Sequence, residues 1–119
     1  MVRPIARAFQ PELVLVSAGQ DAHRADPIGD MALSAHGFAA LARVAREIAA
    51  EEGAYGPVLL LEGGYNPQTL PCLVGAILDT LGDMGLQITD PHAADVPISD
   101  EARRRLDMVQ DALRPWWAR

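Results

Sequence analysis

The sequence predicts an α/β chain built around a short parallel sheet. Two runs, Leu13–Ser17 and Val58–Leu61, are apolar almost throughout, which is typical of strands covered on both faces. A stretch with helical spacing of apolar residues separates them, and a strand–helix–strand unit of this kind makes its two strands parallel. Each run opens into a polar loop, and ligands collect beyond the carboxyl ends of parallel strands.

Composition limits the possible functions. The 119 residues hold one domain at most. The net charge of -6 argues against a nucleic-acid partner, because such surfaces carry a basic patch. The lone cysteine, Cys72, excludes an intrachain disulfide and favours a reducing, cytoplasmic location. No apolar run has the length of a signal peptide or a membrane span, so we expect no membrane partner.

The first half of the chain divides into four predicted segments. Residues 1–12 form an entry segment before the first strand. Residues 18–35 form a long loop without periodicity, and connections of that length tend to be functional. Ser34 is the expected N-cap of the following helix, and Gly53 suits the left-handed residue that ends it. The apolar face of this helix contains Phe38, Leu41, Ala42, Ala45, Ile48 and Ala49.

The second strand leads through a glycine-rich loop into a further helix, with Thr69 as its cap and Gly82 at its end. Its apolar stripe contains Leu70, Leu73, Val74, Ile77, Leu78 and Leu81. Residues 83–98 are interpreted as a linker. Residues 99–119 are predicted to form a last helix, stopped by Pro115, and a tryptophan tail.

Two strands and about three helices make an incomplete sheet. Both strands would have open edges that favour association. Parallel sheets have more strands, with helices on both faces. We therefore expect residues 1–119 to be a single partial domain that pairs with another chain or belongs to a larger α/β fold.

The loop after the first strand carries the first candidate site residues. A carboxylate such as Asp26, followed by Pro27, can ligate a divalent metal, although Asp-Pro is also a common turn. His23 could be a second ligand, or it could be solvated or cap a backbone group. Asp21 could hold the loop through bonds to backbone N–H groups. We assign Asp21 and His23 to the structure of the loop.

The loop after the second strand carries Tyr65. Gly63 and Gly64 precede it, and they allow a sharp turn and a close approach to a ligand. The tyrosine hydroxyl could donate to the oxyanion formed when an amide or ester carbonyl is attacked. Alternatively, the ring could pack over the start of the next helix. A phosphate-binding loop is weakly supported, because neither glycine-rich phosphate motif is present.

Together, these motifs resemble a known enzyme family. The segments Ser17–Gly29, Leu33-Ser34, Gly37-Phe38 and Leu61–Asn66 are similar to the carboxyl-terminal third of the zinc-dependent histone deacetylase and acetylpolyamine amidohydrolase family. The Leu61–Tyr65 motif and the tail Arg114–Trp117 resemble the class II-like bacterial members of this family. The resemblance covers residues 11–82, with Gln20 where the family usually has phenylalanine. It implies the carboxyl-terminal part of a three-layer αβα arginase/deacetylase-like fold with a parallel sheet.

The resemblance also implies a role for each matching residue. Asp26 corresponds to the third zinc ligand. Tyr65 corresponds to the tyrosine that binds the substrate carbonyl and then the oxyanion. Leu33, Gly63 and Gly64 correspond to residues of the substrate channel. The other two zinc ligands and the catalytic histidine pair of the family have no counterpart here, so one of three protein ligands is present.

The sequence therefore predicts a fragment of a histone deacetylase-like zinc amidohydrolase. Acetyl-lysine, acetylated polyamines and other acylated amines all fit the motifs. An amino-terminal complementing polypeptide or a homo-oligomer would complete the site, and we expect the isolated chain to be inactive. The alternatives are a non-catalytic module for self-association or partner binding, and a nonfunctional remnant that folds poorly.

Overall fold

The computed structural model of the chain describes residues 2–94 and 97–117, the side chain of Trp117 excepted. Along the chain, the helices and strands are α1 (Val2–Phe9), β1 (Leu13–Ala18), α2 (Ala35–Glu52), β2 (Tyr55–Leu61), α3 (Leu70–Gly82) and α4 (Asp100–Trp117). Within those residues, no helix combines the length and the apolar character needed to cross a membrane.

The sheet confirms the predicted strand–helix–strand unit. β1 pairs with β2 in parallel, and the register runs from Leu15 opposite Val58 to Ala18 opposite Leu61. Because both strands end at the same level, the two polar loops leave the sheet side by side. This register brings the predicted site residues to one edge.

Helix α2 begins and ends at the predicted residues. The Ser34 hydroxyl accepts a hydrogen bond from Gly37 N at 3.3 Å, and Gly53 adopts a left-handed φ of 66°. Phe38 and Ala42 are buried against α3, but Leu41 is exposed, contrary to the predicted apolar face. Leu41 borders an open cavity beside β1, so nothing in the described part of the chain covers it.

The core lies between α2 and α3, with Leu59 of β2 packed against it. Its buried members are Ala35, Phe38, Ala42, Leu73, Ala76 and Ile77. Thr69 occupies the N-cap position of α3, but its side chain makes no capping bond. The left-handed residue after α3 is Asp83, so Gly82 is the last helical residue and not the cap.

The face of the sheet that points away from the core is not covered by the described part of the chain. Leu13, Leu15, Val58 and Leu60 are 48% to 61% exposed. The sequence predicted strands covered on both faces, whereas the described helices cover one. Four large apolar side chains on a sheet face favour burial by further polypeptide.

The amino-terminal segment, predicted only as an entry to the first strand, is helical from Val2 to Phe9. Val2, Ile5, Ala6 and Phe9 recur at helical spacing, and they line a groove that Ile48 of α2 also borders. Ion pairs attach α1 to α2: Arg3 binds Glu47, and Arg7 binds Glu51 at 3.1 Å.

The carboxyl-terminal helix also differs from its prediction. Pro115 lies inside the last turn of α4, where the missing N–H removes one backbone hydrogen bond without ending the helix. The helix touches α1 but is largely exposed, and Trp116 lies in solvent. The side chain of Trp117, the second member of the predicted tail, lies outside the described residues.

Candidate active site

The loops that follow β1 and β2 meet in space. Gln20 N donates to Gly63 O at 2.8 Å, and the Asn66 side-chain amide donates to Ala25 O at 2.7 Å. Tyr65 N donates to Asp26 Oδ2 at 2.8 Å. The structure therefore brings together the two residues that the sequence singled out for metal binding and oxyanion binding.

The Asp26 carboxylate is held by backbone N–H groups of both loops. Its Oδ1 accepts from Ile28 N at 2.9 Å and Gly29 N at 3.1 Å, and its Oδ2 accepts from Tyr65 N. Desolvation opposes ionisation of Asp26, but these hydrogen bonds outweigh it and lower its pKa. A carboxylate has about four acceptor positions, so Oδ2 keeps room for one further partner.

His23 is fully buried, and both of its ring nitrogens are engaged. Its Nδ1 accepts from Ala25 N at 3.3 Å, which places the ring proton on Nε2, and Nε2 donates to Asp90 Oδ2 at 3.3 Å. The ring is therefore not free to bind a metal. In this structure the ring caps the backbone N–H of Ala25, and its role in supporting the loop stays a prediction.

Asp21 packs against glycines of both loops. A Cβ added at Gly63 would collide with the Asp21 carboxylate, and one added at Gly29 would collide with its backbone carbonyl. Because the Asp21 carboxylate occupies the space where a Cβ of residue 63 would lie, a glycine at this position allows the two loops to pack closely. The substrate channel that the family resemblance implies for Gly63 and Gly64 stays a prediction.

Gly64 precedes Tyr65 with a φ of 132°, and a Cβ there would lie 2.9 Å from Gln20 Cβ and from Leu70 Cδ1. We expect Gly64→Ala to destabilise the chain by more than about 2 kcal/mol, through backbone strain and overpacking. Gly85→Ala is the control, because Gly85 also has a positive φ, 69°, but open space around it. Backbone strain alone should make Gly85→Ala less stable by about 1 kcal/mol. Equal losses in chemical denaturation would contradict the packing argument.

Leu33 joins the first loop to the start of α2. Its backbone pairs with Ala22 and Arg24, and its side chain lines an apolar cavity of about 230 Å³ between β1 and the helices. Gln20 lines the same cavity, and its buried Oε1 has no hydrogen-bond partner among the described residues. An unsatisfied buried acceptor costs roughly 1–3 kcal/mol. Gln20, which stands where the family usually has phenylalanine, therefore carries a buried amide oxygen that no donor of the described residues satisfies.

Two residues that support the site, Asn66 and Asp90, were not predicted from the sequence. Asn66 fixes the two loops through its side-chain amide, and its place within the second motif was the available signal. Asp90 binds His23 from a segment interpreted as a linker. Local periodicity carries no information about a pair so far apart in the chain.

The donor set does not form a zinc site by itself. No group of three or more histidine, cysteine, aspartate or glutamate side chains is arranged to hold a metal ion within residues 2–94 and 97–117. Zinc sites in proteins use three or four protein ligands. Asp26 can supply one of them, so zinc does not fit the described residues alone.

The similarity of this chain to known proteins extends beyond these motifs. Residues 1–81 match the family model of the histone deacetylase domain. Histone deacetylase 10, chloroplastic, of rice is 43% identical over 59% of this chain. Polyamine deacetylase HDAC10 of mouse is 35% identical over 96% of it, and the histone deacetylase-like amidohydrolase of Pseudomonas aeruginosa is 30% identical over 76%.

A solved structure and the lengths of the relatives define the extent of the match. The crystal structure of the HDA15 HD domain superposes with a TM-score of 0.75 at 26% identity, covering 99% of this chain and 29% of that one. This chain spans 16% of the rice and mouse proteins and 24% of the bacterial one. The fold is thus part of a deacetylase domain, and the chain belongs to the histone deacetylase family.

Proposed function

We propose that this chain forms the carboxyl-terminal part of a zinc-dependent amide hydrolase that removes acyl groups from amines. The hydrogen bond from Tyr65 N to Asp26 Oδ2 carries the proposal. It fixes a carboxylate suited to metal binding next to a residue whose hydroxyl suits oxyanion binding.

The two residues have different surroundings, which suit their proposed roles. The Asp26 carboxylate is held by three N–H groups and keeps one acceptor position on Oδ2. Tyr65 is 54% exposed, so its hydroxyl can approach an incoming substrate or further polypeptide. Zinc, once bound by a full set of ligands, would polarise the amide carbonyl and activate water.

The site requires polypeptide beyond these residues. The described part of the chain offers no complete metal site, an apolar sheet face is open, and Gln20 Oε1 lacks a donor. We propose that an amino-terminal deacetylase segment covers this face and brings the other metal ligands. Whether it belongs to the same polypeptide or to a partner, the 119-residue chain alone is expected to be inactive.

The proposed substrates are acetylated amines, either acetyl-lysine or acetylated polyamines. Two relatives support this class by name, one as a polyamine deacetylase and one as a histone deacetylase-like amidohydrolase. The single cysteine fits a reducing compartment, and we propose the cytoplasm.

A chimera tests the proposal. The segment of the Pseudomonas aeruginosa amidohydrolase that matches this chain is replaced by the chain itself. We expect one zinc ion per protomer and turnover of an acetyl-lysine reporter, both lost in Asp26→Ala. Asp79→Ala is the matched control, because Asp79 accepts a backbone hydrogen bond from Leu86 outside the site. A folded chimera that retains zinc with Asp26→Ala would exclude the proposed ligand.

The open sheet face also favours a second candidate, a non-catalytic module for self-association. That function predicts a stable oligomer of the isolated chain without any metal requirement. Sedimentation with and without a chelator distinguishes the two. Introducing charge with Leu60→Asp should dissociate such an oligomer, because Leu60 lies on the exposed face.

A further inference from the structure

Asp90 connects three parts of the chain. Its Oδ2 accepts from His23 Nε2 at 3.3 Å and from Ala35 N at 2.9 Å. Its Oδ1 accepts from His92 N at 2.9 Å. Desolvation raises the pKa of Asp90, but these hydrogen bonds outweigh it, so the net shift is downward. A buried carboxylate with three donors holds its partners in fixed relative positions.

Two of these donors flank Asp26 along the chain, one within its loop and one at the start of α2. His23 stands shortly before Asp26, and Ala35 is the first residue of α2. One carboxylate oxygen therefore closes the loop onto the helix. A backbone bridge between His23 and Leu33 joins the same two parts of the loop.

From His23 the contacts continue to Asp26. The His23 ring accepts from Ala25 N, and the His23 carbonyl accepts from Asp26 N at 2.9 Å. Ala25 O in turn accepts from the Asn66 amide, beside Tyr65. The His23 and Asp90 side chains are fully buried, so neither can reach a substrate.

We propose that Asp90 is a positioning residue: it fixes the conformation of the loop that presents Asp26 and aligns that loop with Tyr65 through buried His23. The importance of this position for catalysis rests on the proposed function. The positioning itself concerns contacts within this chain, so it can be tested without metal or activity.

Amide hydrogen exchange of the isolated chain provides that test. The reporters are the N–H groups of Ile28, Gly29 and Tyr65, which donate to Asp26. Asp90→Asn keeps the shape but leaves one acceptor oxygen, and we expect these three amides to exchange at least about tenfold faster. The core amides of α3 should keep their rates.

Asp79→Asn is the matched control, because it should accelerate exchange at Leu86 and leave the three reporters unchanged. If Asp90→Asn accelerated the exchange of all amides equally, Asp90 would contribute only to overall stability, and the proposal would be overturned. Unchanged reporter amides would overturn it as well.

Wild-type protein provides a second test, which applies even if Asp90→Asn unfolds. The exchange of the Tyr65 and Ile28 amides should follow that of the Ala35 amide as denaturant is raised. Asp90 binds Ala35 N and, through His23, holds the loop whose Asp26 accepts from Tyr65 N and Ile28 N. Free exchange at Tyr65 while Ala35 stays protected would contradict the proposal. The ¹⁵N shifts of His23 should report a proton on Nε2.

The chimera shows whether the positioning affects metal binding. Asp90→Asn should weaken zinc binding there by about 10- to 100-fold, as is typical of residues that orient a ligand. If the unmodified chimera binds no zinc, the proposed function fails, but the exchange experiment still decides whether Asp90 holds the loop.

Discussion

Tyr65→Phe in the zinc-loaded chimera should lower turnover of the acetyl-lysine reporter by about 10²- to 10³-fold, the usual loss when one oxyanion donor is removed. Zinc content and stability should remain unchanged, because the contact between Tyr65 and Asp26 uses the backbone N–H. Steady-state kinetics and metal analysis on the same preparation measure both quantities.

The other tyrosine supplies the matched control for this prediction. Tyr55 lies at the start of β2, is 81% exposed and stands at the end of the strand remote from the loops. Tyr55→Phe should leave turnover unchanged. Full turnover with Tyr65→Phe would exclude the hydroxyl from the reaction, even if Asp26 proves essential.

Leu73→Ala should destabilise the chain by about 2–5 kcal/mol, the range for truncating a large buried aliphatic side chain. Leu73 is 1% exposed and lies in the core between α2 and α3. Because single domains are only marginally stable, a loss of this size is a large part of the free energy of unfolding. Denaturant unfolding followed by circular dichroism measures it.

Leu78 provides the same substitution on the same helix at a site that is 51% exposed. Leu78→Ala should cost about 0.5 kcal/mol or less, as is usual for surface positions. If the two substitutions destabilise the chain equally, the core is not centred where α2 meets α3.

Much of the fold could be predicted from local patterns. The unbroken apolar runs identified β1 and β2, and Ser34 and Gly53 marked the ends of α2 because caps are local features. The meeting of the two loops followed from the parallel topology. Helix α1 was missed, although its apolar residues recur at helical spacing, because the segment is short and contains Pro4.

Other features depend on long-range contacts that no local pattern reports. The pair formed by His23 and Asp90 joins residues far apart in the chain, so the segment around Asp90 was interpreted as a linker. Leu41 was placed on the apolar face of α2 because of its helical spacing, yet the space beside it is open. The roles of Asp26 and Tyr65 came from the family resemblance, since Asp-Pro alone is a common turn.

We propose that these 119 residues supply one metal ligand and one oxyanion donor to a site completed by further polypeptide. Zinc stoichiometry, measured together with turnover of an acetyl-lysine reporter on the purified chain, tests it most directly. We expect no stoichiometric zinc and no turnover. One zinc ion per chain with turnover, both lost in Asp26→Ala, would contradict this proposal and require the other ligands to come from a second copy of the chain.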